Sequence, residues 1–197
     1  MTTMQRCTLL GSERGAMDEQ KRFQEVVLPH LDDALSLARW LTGNLSDAED
    51  VVQEACIRAF GAIASVKGNA RAWLLVIVRN TAFTWLAKNR PKAVVVTDDD
   101  RIFEQAGLEM TDRSDTATPE AMMIAQADAD LVQRAIAGLP ISYREVLVLR
   151  EIEGLSYKEI SDIVSIPVGT VMSRLARARS QLIQRIGMAS AGKAGAA

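Results

Sequence analysis

The amino-acid sequence predicts an all-α fold: two small helical domains joined by a flexible acidic linker. Three observations predict it. The pattern Ser-x-x-Glu occurs at Ser46…Glu49, Ser142…Glu145 and Ser156…Glu159, each time leading into an apolar run of helical period. In that pattern hydroxyl and carboxylate each satisfy a backbone N–H that the first turn of a helix leaves free. There is no alternating strand and no Asn-Gly or Asp-Gly hairpin signal, and the short run Ala93–Val96 is too isolated to found a sheet. Charge also falls in blocks. Residues 65–92 carry Lys67, Arg71, Arg79, Lys88, Arg90 and Lys92 without an acid, residues 97–130 are strongly acidic, and bases dominate again from 155 onward. Two basic blocks around an acidic one predict two polyanion-facing surfaces on separate bodies.

Taken in order, residues 1–17 read as a flexible N-terminus. Met17 directly precedes the first helical pattern and is a candidate start of translation. The first domain spans 18–91, with helices expected over 19–42 (bent at Pro29), 46–64 and 69–89, the last stopped by Pro91. Residues 92–117 lack sustained periodicity and end in Ser, Thr and Asp, the composition of a tether. The second domain, 118–187, opens on Thr118-Pro119-Glu120, with proline at the first helical position, where its missing N–H costs nothing. Its helices are expected over 118–137, 141–153, 156–164 and 168–186. The small-residue tail, 188–197, reads as disordered.

Composition excludes several function classes. A length of 197 residues accommodates one domain or two small ones, and 48% hydrophobic content supplies a core. The net charge of −2 means that the whole chain is not a general nucleic-acid binder. Cys7 and Cys56 lie far apart without a CxxC, and His30 is the single histidine, so no metal site of ordinary spacing can form and no cofactor is expected. Nothing near either cysteine marks a thiol of lowered pKa, as a redox switch would need. Asp98, Asp99 and Asp100 are consecutive in a flexible stretch and cannot converge on an ion pair, which argues against a nuclease. No catalytic residues are predicted. The longest apolar run, "AWLLVIV", is far too short to span a membrane, so no membrane insertion and a cytoplasmic location are expected.

The stretch "LSYKEISDIVSIPVGTVMSRLARAR" (155–179) carries a short amphipathic helix, a turn at Ser165-Ile166-Pro167 and a second helix. Val171, Leu175, Ala178 and Leu182 recur at steps of four, three and four, forming a buried stripe. Val168, Thr170, Ser173, Arg174 and Arg177 lie off that stripe. A basic helix with hydroxyl residues near its N-terminus suits the major groove, where arginine reads guanine edges bidentately. Tyr157 and Lys158, at the start of the preceding helix, are placed to meet phosphate rather than bases. Repressors, response-regulator output domains and recombinases all use such a helix-turn-helix, so the first half of the chain has to decide among them.

In "LSDAEDVVQEACIRAF" (45–60), Ala48, Val51, Val52, Ala55 and Ala59 share one side, while Asp50, Gln53, Glu54 and Arg58 share the other. On periodicity alone that polar stripe is equally a solvated face or a docking face. In "SVKGNARAWLLVIVRNTAFTWLAKNRP" a basic loop leads into a helix on which Trp73, Phe83 and Trp85 are interleaved with Arg71, Arg79, Asn80 and Lys88. Bases of a separated strand stack on aromatic faces while cations follow the phosphates. Trp85 is expected to be mostly core, and Trp73 is left open.

These three segments, "DAEDVVQEACIRAF", "AWLLVIVRNTAFTWL" and "GLSYKEISDIVSIPVGTVMSRLARAR", together resemble the extracytoplasmic-function (group IV) sigma factors of bacterial RNA polymerase, which consist of sigma regions two and four with a linker between. The resemblance covers about 20–90 and 118–186. It implies a sigma region 2-like domain, a sigma region 4-like domain and a promoter-specificity subunit that is not itself an enzyme. By resemblance, Asp50, Gln53, Glu54 and Arg58 dock on the clamp helices of the polymerase β′ subunit. Lys67, Asn69, Arg71, Trp73, Arg79 and Asn80 capture the melted minus-ten element. Val168, Thr170, Ser173, Arg174 and Arg177, with Tyr157 and Lys158, meet the duplex minus-thirty-five element. The implied partners are the polymerase core, including the β flap, promoter DNA and an anti-sigma factor. Two departures from the family pattern, Cys56 in place of a bulkier residue and a loop "SVKGNA" without an aromatic, leave the preferred minus-ten base open. The alternative function is a helix-turn-helix regulator acting without core polymerase, which would ordinarily dimerise to read two half-sites.

Overall fold

The computed structural model describes residues 17–89 and 129–194, with side chains described as far as Met188. The expectations for residues 1–16, the acidic linker, the helix start at Thr118, Cys7 and the last three residues lie outside that range. Every regular element among the described residues is helical, as predicted.

The first body begins with α1 (residues 17–27), which gives way to a 3-10 turn, Leu28–His30, with Pro29 at its start, and then to α2 (Leu31–Thr42). The bend is therefore at the proline, whose ring and missing N–H interrupt the α-helical ladder. Gly43, at φ 98°, closes α2 in the left-handed conformation that suits glycine. Next come α3 (Leu45–Gly61), a 3-10 turn (Ile63–Ser65) and α4 (Ala70–Asn89). Helices α2, α3 and α4 pack on one another in pairs. Leu37 and Leu41 of α2 and Leu74, Leu75 and Val78 of α4 are fully buried, and α3 contributes the small side chains Ala48, Ala55 and Ala59. Small residues on α3 let the helix axes approach closely, and each buried leucine contributes about 1.5–3 kcal/mol.

The second body holds α5 (residues 129–137), α6 (Ile141–Leu147), a π-helical turn (Val148–Ile152), α7 (Tyr157–Val164) and α8 (Val168–Ala194). Ile160, Ile163 and Val164 of α7 and Val171, Leu175 and Ala178 of α8 are buried, with Leu182 partly so, which is the stripe the sequence predicts. Helix α8 continues to Ala194, well beyond residue 186 and into the tail expected to be disordered. Alanine is the strongest helix former, and the tail's alanines extend the helix already nucleated by packing.

Two of the three expected capping boxes are corrected. Helix α3 is capped by Asn44, whose Oδ1 accepts from the Asp47 N–H at 2.8 Å. Ser46 already lies inside the first turn, so its hydroxyl is not at a capping position. Helix α6 starts at Pro140, whose carbonyl accepts from the N–H groups of Tyr143 and Arg144 at 2.9 Å each, and Ser142 caps nothing. The Glu145 carboxylate is instead turned towards Arg79 of α4.

The two bodies also pack on each other. Helix α6 lies against α2, and α7 lies against α4. Their buried apolar residues form one continuous cluster. Arg144 of α6 crosses the seam: its Nη1 donates to the Trp40 carbonyl at 3.2 Å, and its Nη2 donates to the carbonyls of Ala137 and Leu139.

Candidate polymerase and nucleic-acid interfaces

Helix α3 turns its alanine and valine side into the core, so Asp50, Gln53, Glu54 and Arg58 are all exposed on the opposite side. Arg58 Nε donates to Glu54 Oε1 at 2.8 Å, an i,i+4 pair that holds both side chains along the helix. Beside this stripe Ile57 and Phe60 are exposed apolar groups, at 64% and 43%. Apolar side chains beside an ordered polar row are what a protein-docking face requires, and sequence reasoning named only the polar row. Cys56 is half-buried, and burial pushes its thiol up, away from the thiolate that a redox sensor needs.

The loop before α4 and the exposed side of that helix carry the second group. Lys67 and Asn80 are exposed. Asn69 caps α4, its Oδ1 accepting from the Ala72 N–H at 3.1 Å. Trp73 and Trp85 are both partly buried against the core, so each keeps some surface and neither is wholly interior. The Arg79 guanidinium stands over the Phe83 ring, 4.6 Å from its centre, and its Nη1 donates to Asn80 Oδ1 at 3.3 Å.

Three of these polar groups are engaged by carboxylates of the other body. Arg79 Nε donates to Glu145 Oε2 at 2.8 Å. Arg71 donates through Nη2 to Glu153 Oε2 at 3.0 Å and through Nη1 to the Glu153 carbonyl at 2.9 Å, while its Nε is held within its own body by Asp33 Oδ2 of α2 at 2.6 Å. Asn69 Nδ2 donates to Glu159 Oε1 at 3.2 Å. Glu145 and Glu153 are almost fully enclosed, their side chains 2% and 3% exposed. Burial raises the Glu145 carboxyl above the ordinary carboxylate range, although Arg79 and Arg174 pull it back. Burial likewise raises Glu153, with Asp33 adding repulsion against the attraction of Arg71. The Arg71 guanidinium is held charged more firmly than usual, chiefly by its hydrogen bond to Asp33.

The third group sits on α7 and α8. Ser156 accepts from the Glu159 N–H, and the Glu159 carboxylate accepts from the Ser156 N–H at 2.9 Å, a complete capping box. Ser165, in the left-handed conformation at φ 59°, turns the chain, and Ser161 Oγ locks that turn by donating to the Ile166 carbonyl at 2.6 Å. Helix α8 then starts from the Pro167 carbonyl, which accepts from Thr170 and Val171. Val168, Ser173 and Arg177 are exposed, and Thr170 and Arg174 are partly buried. Arg174 Nη1 lies 3.6 Å from Glu145 Oε1, so the carboxylate that holds Arg79 also faces the second helix of the motif. Lys158 is exposed beside Asp162, while the half-buried Tyr157 ring lies under the Arg150 guanidinium at 4.9 Å.

The capping box yields a prediction. Ser156→Ala is expected to lower stability by about 1 kcal/mol, measured by urea denaturation. Hydrogen bonds from Ser156 hold the Glu159 carboxyl below its ordinary value of 4.5. A depressed folded pKa supplies stability that is complete above the unfolded value and is lost as the pH falls through the folded one. The difference between variant and parent should therefore shrink on acidification through the carboxylate range.

Comparison with known proteins bears on the fold and the family. The family description "Sigma-70 region 2" matches residues 26–91, and "Sigma-70, region 4" matches residues 129–182. The ECF RNA polymerase sigma-E factor of Escherichia coli K12 is 34% identical over 180 residues, covering 88% of this chain and 91% of that protein. The RNA polymerase sigma-H factor of Pseudomonas aeruginosa PAO1 is 34% identical over 174 residues, covering 86% and 89%. Among solved structures, the sigma factor RpoE in complex with the anti-sigma factor NepR, from Bartonella quintana, superposes with a TM-score of 0.68 at 26% identity, covering 85% of this chain and 98% of that one. CnrH in complex with the cytosolic domain of CnrY superposes at 0.59 and 23% identity, covering 89% and 94%, a likeness of fold. Region-two and region-four bodies in the expected order, with relatives matched over most of both chains, make this chain a member of the extracytoplasmic-function sigma factors of the sigma-70 family, which direct promoter-specific transcription initiation.

Proposed function

We propose that the three surfaces divide the work of initiation. Asp50, Gln53, Glu54 and Arg58, with Ile57 and Phe60 beside them, dock on the β′ clamp helices of core RNA polymerase. Lys67, Asn69, Arg71, Trp73, Arg79 and Asn80 hold the melted minus-ten element, the tryptophan stacking and the cations following phosphate. Val168, Thr170, Ser173, Arg174 and Arg177 enter the major groove at the minus-thirty-five element, with Tyr157 and Lys158 on the backbone. The protein then acts as a dissociable, non-catalytic subunit in the cytoplasm, with core polymerase (including its β flap), promoter DNA and an anti-sigma factor as partners. The observation that carries this reading is the capped α7, the locked turn at Ser165 and the basic outer side of α8. No helix among the described residues is long and apolar enough to cross a membrane.

Run-off transcription with purified sigma-free core polymerase and a genomic promoter library tests the reading directly. The full chain is expected to produce discrete start sites, and their absence on every template would reject it. In the same assay Gln53→Ala combined with Glu54→Lys should abolish start-site formation. Core binding measured by pull-down should fall by about tenfold or more, since a like charge now faces a complementary patch. Circular dichroism of that variant should be unchanged, because both positions are exposed. Intact core binding would place the docking face elsewhere.

A further inference from the structure

We infer that Met172 is a base-reading residue of α8, and that it takes thymine in the minus-thirty-five duplex through the C5-methyl group. The inference rests on the placement of α8 in the major groove proposed above, and adds to it the class of base recognised.

The outer side of α8 is divided lengthwise. Successive residues of a helix are about 100° apart, so the side turned away from the buried Val171, Leu175 and Ala178 holds Gly169, Ser173 and Ala176. Thr170, Arg174 and Arg177 lie on one flank of that line, and Val168 and Met172 lie on the other. The first flank is polar and partly engaged. Arg174 stands 3.6 Å from Glu145, and Arg177 Nη1 donates to the Tyr143 hydroxyl at 3.5 Å. Ser173 donates its hydroxyl proton to the Thr170 carbonyl at 3.0 Å, which leaves its oxygen as an acceptor.

The second flank is apolar and uncovered. Met172 is 53% exposed, Ala176 is exposed one turn further on, and a methyl group added at Gly169 would meet no atom within 4 Å. A lone exposed methionine needs no explanation, but this one shares two turns of helix with the serine and arginines assigned to DNA. That continuity selects the occupant. The sequence of α8 contains no acidic residue from 168 to 194, so phosphates can approach either flank without repulsion. On the floor of the major groove, the apolar group that distinguishes one base from the others is the thymine methyl. Met172, long and unbranched, can follow that methyl over a range of helix placements, and the small Ala176 leaves room for it. The polar flank therefore reads hydrogen-bonding edges, while the apolar flank reads the methyl.

The test uses the full chain with sigma-free core polymerase. A promoter is selected by run-off transcription from a library randomised at the upstream element. Its upstream thymines are then replaced one at a time by deoxyuridine, which removes only the methyl group. At one position the parent should lose about fourfold in promoter affinity, the weight of one buried methyl group. Met172→Gln, similar in length but polar, should lose that dependence, and the apolar Met172→Leu should keep it. Circular dichroism of both should match the parent, because the side chain is exposed. Should the glutamine variant not fold, Met172→Ala carries the same comparison. A selected element without thymine, indifference to deoxyuridine at every upstream position, or an unchanged methyl dependence in Met172→Gln overturns the inference and leaves the sigma reading intact. Lost core binding in Met172→Gln with the methyl dependence retained would show that this flank meets polymerase instead. A parent that yields no start sites would refute the sigma reading, and this inference with it.

Discussion

Replacing Arg144 by leucine is expected to cost about 3 kcal/mol or more, since each buried carbonyl left without a donor costs about 1–3 kcal/mol. The guanidinium of Arg144 is one of the largest fully buried side chains, and it serves the carbonyls of Trp40, Ala137 and Leu139. Leucine returns some apolar burial but supplies no donor. Two of the carbonyls belong to the second body and one to the first, so two consequences separate. The second body loses the arginine that ties the end of α5 to α6, which should appear as a lower urea midpoint. The seam loses a hydrogen bond between α6 and α2, which should appear as an increase in the radius measured by scattering below the unfolding transition. Arg144→Lys should be intermediate, because one ammonium cannot reproduce the planar fork that reaches three carbonyls on different segments. A change below 1 kcal/mol for the leucine variant would mean that water, or a shift of the helix, replaces the guanidinium.

Arg144 and its neighbour Glu145 also mark where sequence reasoning stops. Local patterns set by residues within about one turn of each other were legible. The bend at Pro29, the buried stripe Val171–Leu175–Ala178, the Ser156–Glu159 box and the turn before Pro167 all follow from near neighbours. The position of the α3 cap was missed by two residues because Asn44 and Ser46 are both good capping residues, and only the extended backbone of Asn44, at φ −149° and ψ 165°, shows which is still outside the helix. Glu145 was misread for a different reason. Its spacing from Ser142 fits a capping box, but its partner Arg79 is 66 residues away, and a charge-assisted bond to a guanidinium outcompetes a neutral backbone N–H. One signal was available: adjacent charges inside "YREVLVL", a run otherwise apolar enough to be interior, must be paired. The most acidic stretch of the sequence surrounds Asp98, yet the acids that reach Arg79, Arg71 and Asn69 from the second body are Glu145 of α6, Glu153 just after the π-helical turn and Glu159 of α7.

Arg174→Ala is the second large effect, and its direction follows from the base-reading role proposed for that side chain. A bidentate arginine–guanine contact is worth about 1–3 kcal/mol, so promoter discrimination at one upstream base pair should fall by about 5–150-fold. Transcription from promoters differing at that position should converge, while discrimination at the other upstream positions and in the minus-ten element is retained. Arg174→Lys should not rescue it, because the loss is of a planar fork and not of charge alone. Removing Arg174 also leaves Glu145 facing Arg79 without its second arginine. The Arg174 side chain is 28% exposed and 3.6 Å from the carboxylate, so this second consequence is the smaller one. Both groups belong to the second body, so no contact between the bodies is lost, whereas the lost base contact lowers specificity strongly. One titration series checks this: random-sequence DNA reports phosphate contacts, and the ratio of promoter to random DNA affinity reports base reading. Core polymerase binding should be untouched, since α8 is remote in sequence from the exposed stripe of α3 and carries none of it. If Arg174→Ala abolished core binding and left upstream discrimination intact, the assignments of the two surfaces would have to be exchanged.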